Sequence, residues 1–338
     1  MVTIREVARQ AKVSVGTVSN VLAGSATVRA ELRRRVEEAM RGLDYHPNQI
    51  ARSLKTRQTK TLGMVISDIT NPFFPQVVRG AEDAAIASGY LLITLNTDDN
   101  PERERQALSM LRARKVDGLL LTVAASRDDM NHVEQFRDSG LPIVCIDREV
   151  PHVPLDLVCS DNARGAKMCM QHLLSRGHRR IGYLSGSPGL FTAVTRLDGF
   201  NQALAEEGIP PDAKLVRHGD FRFDSGYRLA KEMLLEHDPP TALFASNAMM
   251  GFGALKAIHE LGLRCPEDVA LAMFDDVPFG DVIQPRLTVV AQPAYEMGRV
   301  GAELLIARLD GRETSPKPVC HMLVPELLVR ESTIARRS

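Results

Sequence analysis

The sequence predicts two differently built units in one chain: an all-α head of three short helices in helix-turn-helix order, then an α/β core with parallel sheets. Three observations predict this. Residues 1–60 carry 12 Lys/Arg against 5 Asp/Glu, whereas the remaining 278 carry 30 against 37, so a head of +7 precedes a body of −7. Near residue 61 the apolar pattern changes from helical three-and-four spacing to short runs of Val, Ile and Leu. The 338 residues, 44% hydrophobic and 25% charged, give room for two or three domains at roughly 100–200 residues each.

The head is justified first. Thr3 and Glu6 form a capping box, and Ile4, Val7, Ala8 and Ala11 then make one apolar stripe. Ser14 is an N-cap for a second helix, with Val18, Val21 and Leu22 inward and Gly16, Thr17 and Asn20 outward. A third helix runs from about Glu31 to Leu43, burying Leu32, Val36, Ala39, Met40 and Leu43. A turn of three or four residues joins the first two, and in that geometry the second helix enters a DNA major groove. Charge alone leaves two readings open, a polyanion-binding module or a solvated charged face.

Three stretches carry a resemblance: Thr3-Ile4-Arg5-Glu6-Val7-Ala8, the run from Val13 to Leu22, and Tyr45-His46-Pro47-Asn48-Gln49-Ile50-Ala51-Arg52-Ser53-Leu54. In this order they resemble the head of the lactose/galactose repressor family. The resemblance implies that Val15, Gly16 and Asn20 face base edges. Asn20 suits adenine N6/N7 and Val15 a thymine methyl. It implies phosphate contacts from Thr3, Ser14, Thr17, Ser19 and Asn48, which fix register without reading sequence. Arg29 departs from the small hydroxyl residue usual there and adds a possible phosphate contact.

Residues 47–55 offer barely two helical turns, too few to be stable alone in water. By resemblance this is a hinge helix that folds when two copies pair in a minor groove, with Leu54 wedged into a base step and Arg52 and Lys55 on phosphate or groove floor. Leu54 as an ordinary core leucine in a linker is the plainer alternative.

In the body, expected strands are Leu62–Ile66, Tyr90–Asn96, Gly118–Val123, Pro142–Ile146, Leu157–Ser160, Arg180–Leu184, Ala242–Ala245, Val269–Phe274 and Leu287–Val290. Helical patterns at Gln76–Ser88, Glu102–Arg114, Ala163–Arg176 and Ala193–Glu207 separate many of them. Strand–helix alternation implies parallel sheets covered on both faces, and nine strands suit two lobes with a cleft between. Asp117-Gly118, Asp161-Asn162, the run from Gly177 to Ile181, Arg196-Leu197-Asp198-Gly199-Phe200 and Pro285-Arg286-Leu287-Thr288 extend the resemblance, which implies a periplasmic-binding-protein-like core. The expected division is a DNA-binding domain at 1–46, a hinge and linker at 47–60, and a core at 61–338. Its first lobe is about 61–160 and 291–320 and its second about 161–290 and 321–338, with crossings near Ser160, Val290 and Cys320.

Polar residues at expected strand and helix ends outline a pocket: Asp275, Arg196, Asp161 and Asn247, with Thr192 alongside. The resemblance gives these positions a small ligand's hydroxyl or acid groups, with Phe73, Phe74 and Phe221 as aromatic faces. Ordinary core is the alternative for the phenylalanines, and a structural ion pair for Arg196. Leu190 and Phe191 stand where purine-responsive members carry an arginine, which argues against a purine. Asn247-Ala248 replaces the family's common Asn-Asp, which argues against a simple aldopentose such as ribose. A sugar, sugar acid or polyol is the expected effector.

Other classes fare worse. Gly251-Phe252-Gly253 lacks the third glycine of a dinucleotide fingerprint, and Ser185-Gly186-Ser187-Pro188-Gly189 is neither a nucleophile elbow nor a P-loop. No histidine pair has HExxH spacing, so zinc chemistry has no support; with these motifs set aside, no metal, cofactor or catalytic residue is expected. A transport receptor would begin with a signal peptide, whereas these first residues show no apolar h-region and no run of about 20 apolar residues follows. Five cysteines at irregular spacing are expected to be buried thiols. The expectation is therefore a cytoplasmic, nucleoid-associated repressor, binding a near-palindromic operator as a homodimer. Without a leucine-heptad tail after Ala335, no tetramer of that kind is expected.

Overall fold

The structure is a computed structural model describing residues 2–22, 27–45, 58–124, 131–150 and 152–334. The chain divides into two compact units, Met1–Thr59 and Lys60–Ser338.

The first unit holds α1 (Ile4–Ala11), α2 (Val15–Leu22) and α3 (Ala30–Gly42). Thr3 and Glu6 close the capping box of α1. Lys12 takes a left-handed conformation at its C-cap (φ 52°), and Arg35 from α3 donates to the exposed carbonyls of Ala11 and Lys12. Ser14 Oγ accepts the Thr17 N–H at 3.1 Å, starting α2 as a cap should. Val7, Ala8, Ala11, Val18, Val21, Val36 and Ala39 are the buried centre of this small core.

The second unit is built on two six-stranded sheets. Its elements are β1 (Thr61–Ile66), α4 (Phe73–Ala87), β2 (Leu91–Asn96), α5 (Pro101–Ala113), β3 (Gly118–Leu121), α6 (Asn131–Asp138), β4 (Ile143–Ile146), β5 (Asp156–Ser160), α7 (Asn162–Ser175) and β6 (Ile181–Ser185). There follow α8 (Phe191–Glu206), β7 (Val216–His218), α9 (Phe223–Leu234), β8 (Ala242–Ala245), α10 (Ala248–Glu260), β9 (Ala270–Phe274), β10 (Thr288–Ala291), α11 (Ala294–Leu309), β11 (Cys320–Leu323) and β12 (Glu326–Leu328). The first sheet, β11-β5-β4-β3-β1-β2, is wholly parallel. The second, β12-β10-β9-β8-β6-β7, is parallel except for the β10–β12 pair. Central strands such as β3, β4, β8 and β9 are buried at every position, as parallel sheets covered on both faces require. In the first lobe α4 and α11 meet at Gly80 and Gly298, where a Cβ on Gly298 would lie 1.8 Å from the Val77 carbonyl oxygen.

The chain passes between sheets after β5, after β10 and between β11 and β12. The third passage corrects the sequence expectation. Residues 320–323 pair with β5, so the chain leaves the first sheet at 324–325 rather than near Cys320. Three of those four residues are exposed, so this edge strand has no apolar run to betray it. Ala291 likewise ends β10 in the second sheet instead of opening the return segment. Lys60, expected in the linker, belongs to the core, where its N–H donates to Asp117 Oδ2 at 2.7 Å. Cys320 is exposed and Cys265 half-buried, contrary to the expectation of uniformly buried thiols. No helix among the described residues is long and apolar enough to cross a membrane.

Candidate functional site

The two sheets bring their strand ends to a cavity with an empty volume of about 450 Å³, open solvent at its mouth included. Seven of the eight expected effector residues line it: Phe73, Phe74, Thr192, Arg196, Phe221, Asn247 and Asp275. Phe73 and Phe74 begin α4 and pack edge to face, with centroids 5.1 Å apart. They are also buried in the first lobe's core, so the core and cavity readings hold together.

Asp161 is the exception and corrects the expectation. It does follow a strand, but its carboxylate turns away to cap α7, accepting the Arg164 N–H at 3.1 Å. A strand-end acid directly before a helix has an N-cap task that competes with facing the cleft. The sequence argument against an aldopentose turns on position 248. The Ala248 side chain is not part of the lining, and its backbone N–H instead supports the Asp275 carboxylate at the start of α10.

Sequence reasoning missed a matching acid in the first lobe. Asp147 follows β4 as Asp275 follows β9, and both residues are left-handed (φ 68° and 70°) and buried. Arg148 stands next to Asp147, paired with Asp99 and donating to the Val123 carbonyl at 3.0 Å. Asp68, Asp99, Asp220, Arg222, Asn71, Ser67 and Gln292 complete the missed lining. The signal was present for Asp147: an acid directly after an apolar run, the rule that found Asp275. The loop residues offered none.

Arg196 links the site to its frame. Its Nε donates to Asn162 Oδ1 at 2.7 Å, Nη1 donates to the Ser246 carbonyl, and the guanidinium lies 4.0 Å from the Phe274 ring centroid. Burial pushes Asp147 up to about 6; Arg148 and Arg196 oppose this, while Asp275 and Asp99 add to it. Burial also raises Asp275, against Arg196 and the 2.6 Å hydrogen bond from Gln292 Nε2. Asp147 Oδ1, Arg148 Nε and Gln292 Oε1 are buried with no hydrogen-bond partner among the described residues. Each such atom costs about 1–3 kcal/mol until something fills the cavity. Arg148 Nε also lies 3.7 Å from Asp147 Oδ2, so the two neighbours form an ion pair beside the cavity. Asp276, adjacent to Asp275, points elsewhere and pairs with Arg330 at 2.7 Å.

In the head, Ser14, Val15, Gly16 and Asn20 are exposed along α2, as are Thr3 and Arg29, while Thr17 and Ser19 are half-buried. Ser14 Oγ and Thr17 Oγ1 lie 2.9 Å apart, so both hydroxyls already share a partner. Asn48, Arg52, Leu54 and Lys55, and with them the hinge helix, lie outside the described residues.

Residues 3–48 match the bacterial regulatory proteins of the lacI family, and residues 170–333 match the periplasmic binding protein-like domain. The ribose operon repressor of Halalkalibacterium halodurans is 36% identical over 98% of this chain and 97% of its own length. The lac repressor dimer bound to operator and an anti-inducer has a TM-score of 0.87 at 28% identity, covering 99% of both chains. A CelR–cellobiose complex has a TM-score of 0.74 at 34% identity, covering 98% of this chain and 100% of that one. With a matching head, a matching core and a relative aligned almost end to end, this chain belongs to the lacI family of bacterial regulatory proteins.

Proposed function

We propose that the chain is an operator-binding repressor whose grip on DNA is set by a small neutral sugar enclosed between its lobes, an aldopentose of the ribose type. One observation carries the effector class: Asp147, Arg148 and Gln292 all line the cavity, and Asp147 Oδ1, Gln292 Oε1 and Arg148 Nε make no hydrogen bond within the protein, although Arg148 Nε lies 3.7 Å from Asp147 Oδ2. Adjacent sugar hydroxyls donate to the first two, and a hydroxyl or ring oxygen accepts from the third. Phe73, Phe74 and Phe221 cover the ring's apolar face. Five lining aspartates against three arginines disfavour an anion, which narrows the expected class to neutral sugars and polyols. The name of the Halalkalibacterium relative supports ribose within that class.

On the DNA side, two chains set two copies of α2 in successive major grooves, as the operator-bound dimer of the lac repressor suggests. The hinge at 47–60 pairs between them, with Leu54 opening the minor groove. The protein works in the cytoplasm, without catalysis. Thermal melting of the full chain with D-ribose, D-ribonate and D-ribose 5-phosphate tests the effector class. D-Ribose at 100 times its Kd stabilises by about 2.7 kcal/mol, and the two anions leave the melt unchanged. Stabilisation by the anions alone contradicts the reading. Operator affinity falls steeply with salt, with a log–log slope beyond about −5 for the dimer; a flat response removes the DNA reading.

A further inference from the structure

A hydrogen bond between the two lobes spans the mouth of the cavity. Arg222, just before α9 in the second lobe, donates from Nη2 to the main-chain carbonyl of Asp98, after β2 in the first lobe, at 3.1 Å. The main chain at both ends is held by hydrogen bonds. The Arg222 N–H donates to Asp220 Oδ1 at 3.0 Å, and the neighbouring Phe221 carbonyl accepts from Asn247 Nδ2 at 2.8 Å. Across the gap, Asp98 and Asp99 are consecutive left-handed residues (φ 54° and 57°), a region that Asp enters more readily than most side chains but less readily than glycine. They are kept there by the Asp99 N–H on the Ser67 carbonyl at 3.1 Å, the Asn96 amide on Asp98 Oδ1 at 2.7 Å and the Arg103–Asp98 ion pair. The floor of the cavity, including Phe73, Phe74, Asp147, Arg196 and Asp275, is buried, whereas Arg222 is exposed. The bond is therefore at the entrance.

We propose that the Arg222–Asp98 bond is a size gate, closing the cleft over one unsubstituted sugar ring and excluding a ring whose substituent must pass the entrance. The inference rests on the sugar reading of the cavity. A ligand that reaches out of the cleft has to displace the guanidinium from an acceptor the rim is built to present. Discrimination then comes from a penalty on the wrong ligand as much as from contacts to the right one. The fold itself imposes no such limit, since a structural relative is described in complex with the two-ring sugar cellobiose. The limit has to lie in side chains at the mouth.

Isothermal titration of the full chain with D-ribose and methyl β-D-ribofuranoside tests the gate. The parent is expected to favour D-ribose by about tenfold or more, and Arg222→Ala to shrink that preference to about threefold or less, chiefly through tighter glycoside binding. Arg103→Ala, which frees Asp98 from outside the cavity, shrinks the preference part of the way. Thermal melts of both variants confirm that they fold. An undiminished preference in Arg222→Ala and Arg103→Ala overturns the gate while leaving the sugar reading intact, as does a parent that binds both ligands equally. A parent that binds neither overturns the sugar reading, and the gate with it.

Discussion

Asp147 in the first lobe and Asp275 in the second occupy matching places. Each follows the third strand of its sheet as the strands are ordered across it, each is left-handed, and each N–H donates 2.9 Å to the neighbouring strand's carbonyl, Val158 or Val290. Their surroundings then part. Asp275 accepts from Gln292 and from the Ala248 N–H at the start of α10, whereas Asp147 Oδ1 has no hydrogen-bond partner among the described residues. The second lobe's carboxylate is already solvated by protein; the first lobe's has the Arg148 guanidinium 3.7 Å from Oδ2 but no hydrogen bond to Oδ1. The same strand-end device thus gives one lobe a finished wall and the other an unfinished one.

Removing what both lobes share should have the largest effect. Arg196 opposes the burial penalty at both carboxylates, so Arg196→Met is expected to destabilise the protein by about 3–5 kcal/mol. A denaturant titration showing a loss below about 1 kcal/mol would mean that neither aspartate depends on it.

Next comes pH. Asp147 titrates at about 6 in the folded chain against 3.8 ordinarily, so the native state holds its proton more tightly than the unfolded state. Its contribution to stability therefore falls as pH rises from about 4 through 6, by about 3 kcal/mol in all. Sugar hydroxyls favour the ionised carboxylate, so ligand affinity rises over the same interval. Melting curves from pH 4 to 7 for parent and Asp147→Asn, with and without D-ribose, read both trends. The variant loses both, and a variant whose curves parallel the parent's breaks the assignment.

The two acids should also differ in what they give the ligand. Asp147→Asn is expected to weaken D-ribose by about 2–3 kcal/mol, and Asp275→Asn by about 1. Calorimetry giving the reverse order would exchange the roles of the lobes. The smallest effect belongs to Gln292→Met, which leaves Asp275 short of one partner and weakens the ligand by about 1 kcal/mol or less. Improved binding in that variant would show that Gln292 Oε1 is not a ligand acceptor.

Much of this design was legible in the sequence because burial writes itself into apolar runs. The fully buried β3, β4, β8 and β9 show as such runs, and the acid after β9 marked the cleft. The half-exposed β7 and the edge strands β11 and β12 leave no such trace, so the third crossing between lobes was misplaced. Asp161 was misread because position after a strand does not fix side-chain direction when a helix N-terminus lies within reach. Asp98 and Arg222 were invisible for a different reason. Their roles depend on loops that meet only after both lobes have folded, more than a hundred residues apart in the chain.

The most direct test follows a fluorescent duplex, carrying an operator selected with this chain, as it is titrated with parent or Asp147→Asn protein. Saturating D-ribose is expected to change the parent's operator affinity by about 5–150-fold and to leave the variant's nearly unchanged. Equal affinity for the parent with and without every neutral sugar tried, or a variant that responds as the parent does, would contradict control of DNA binding from this cleft.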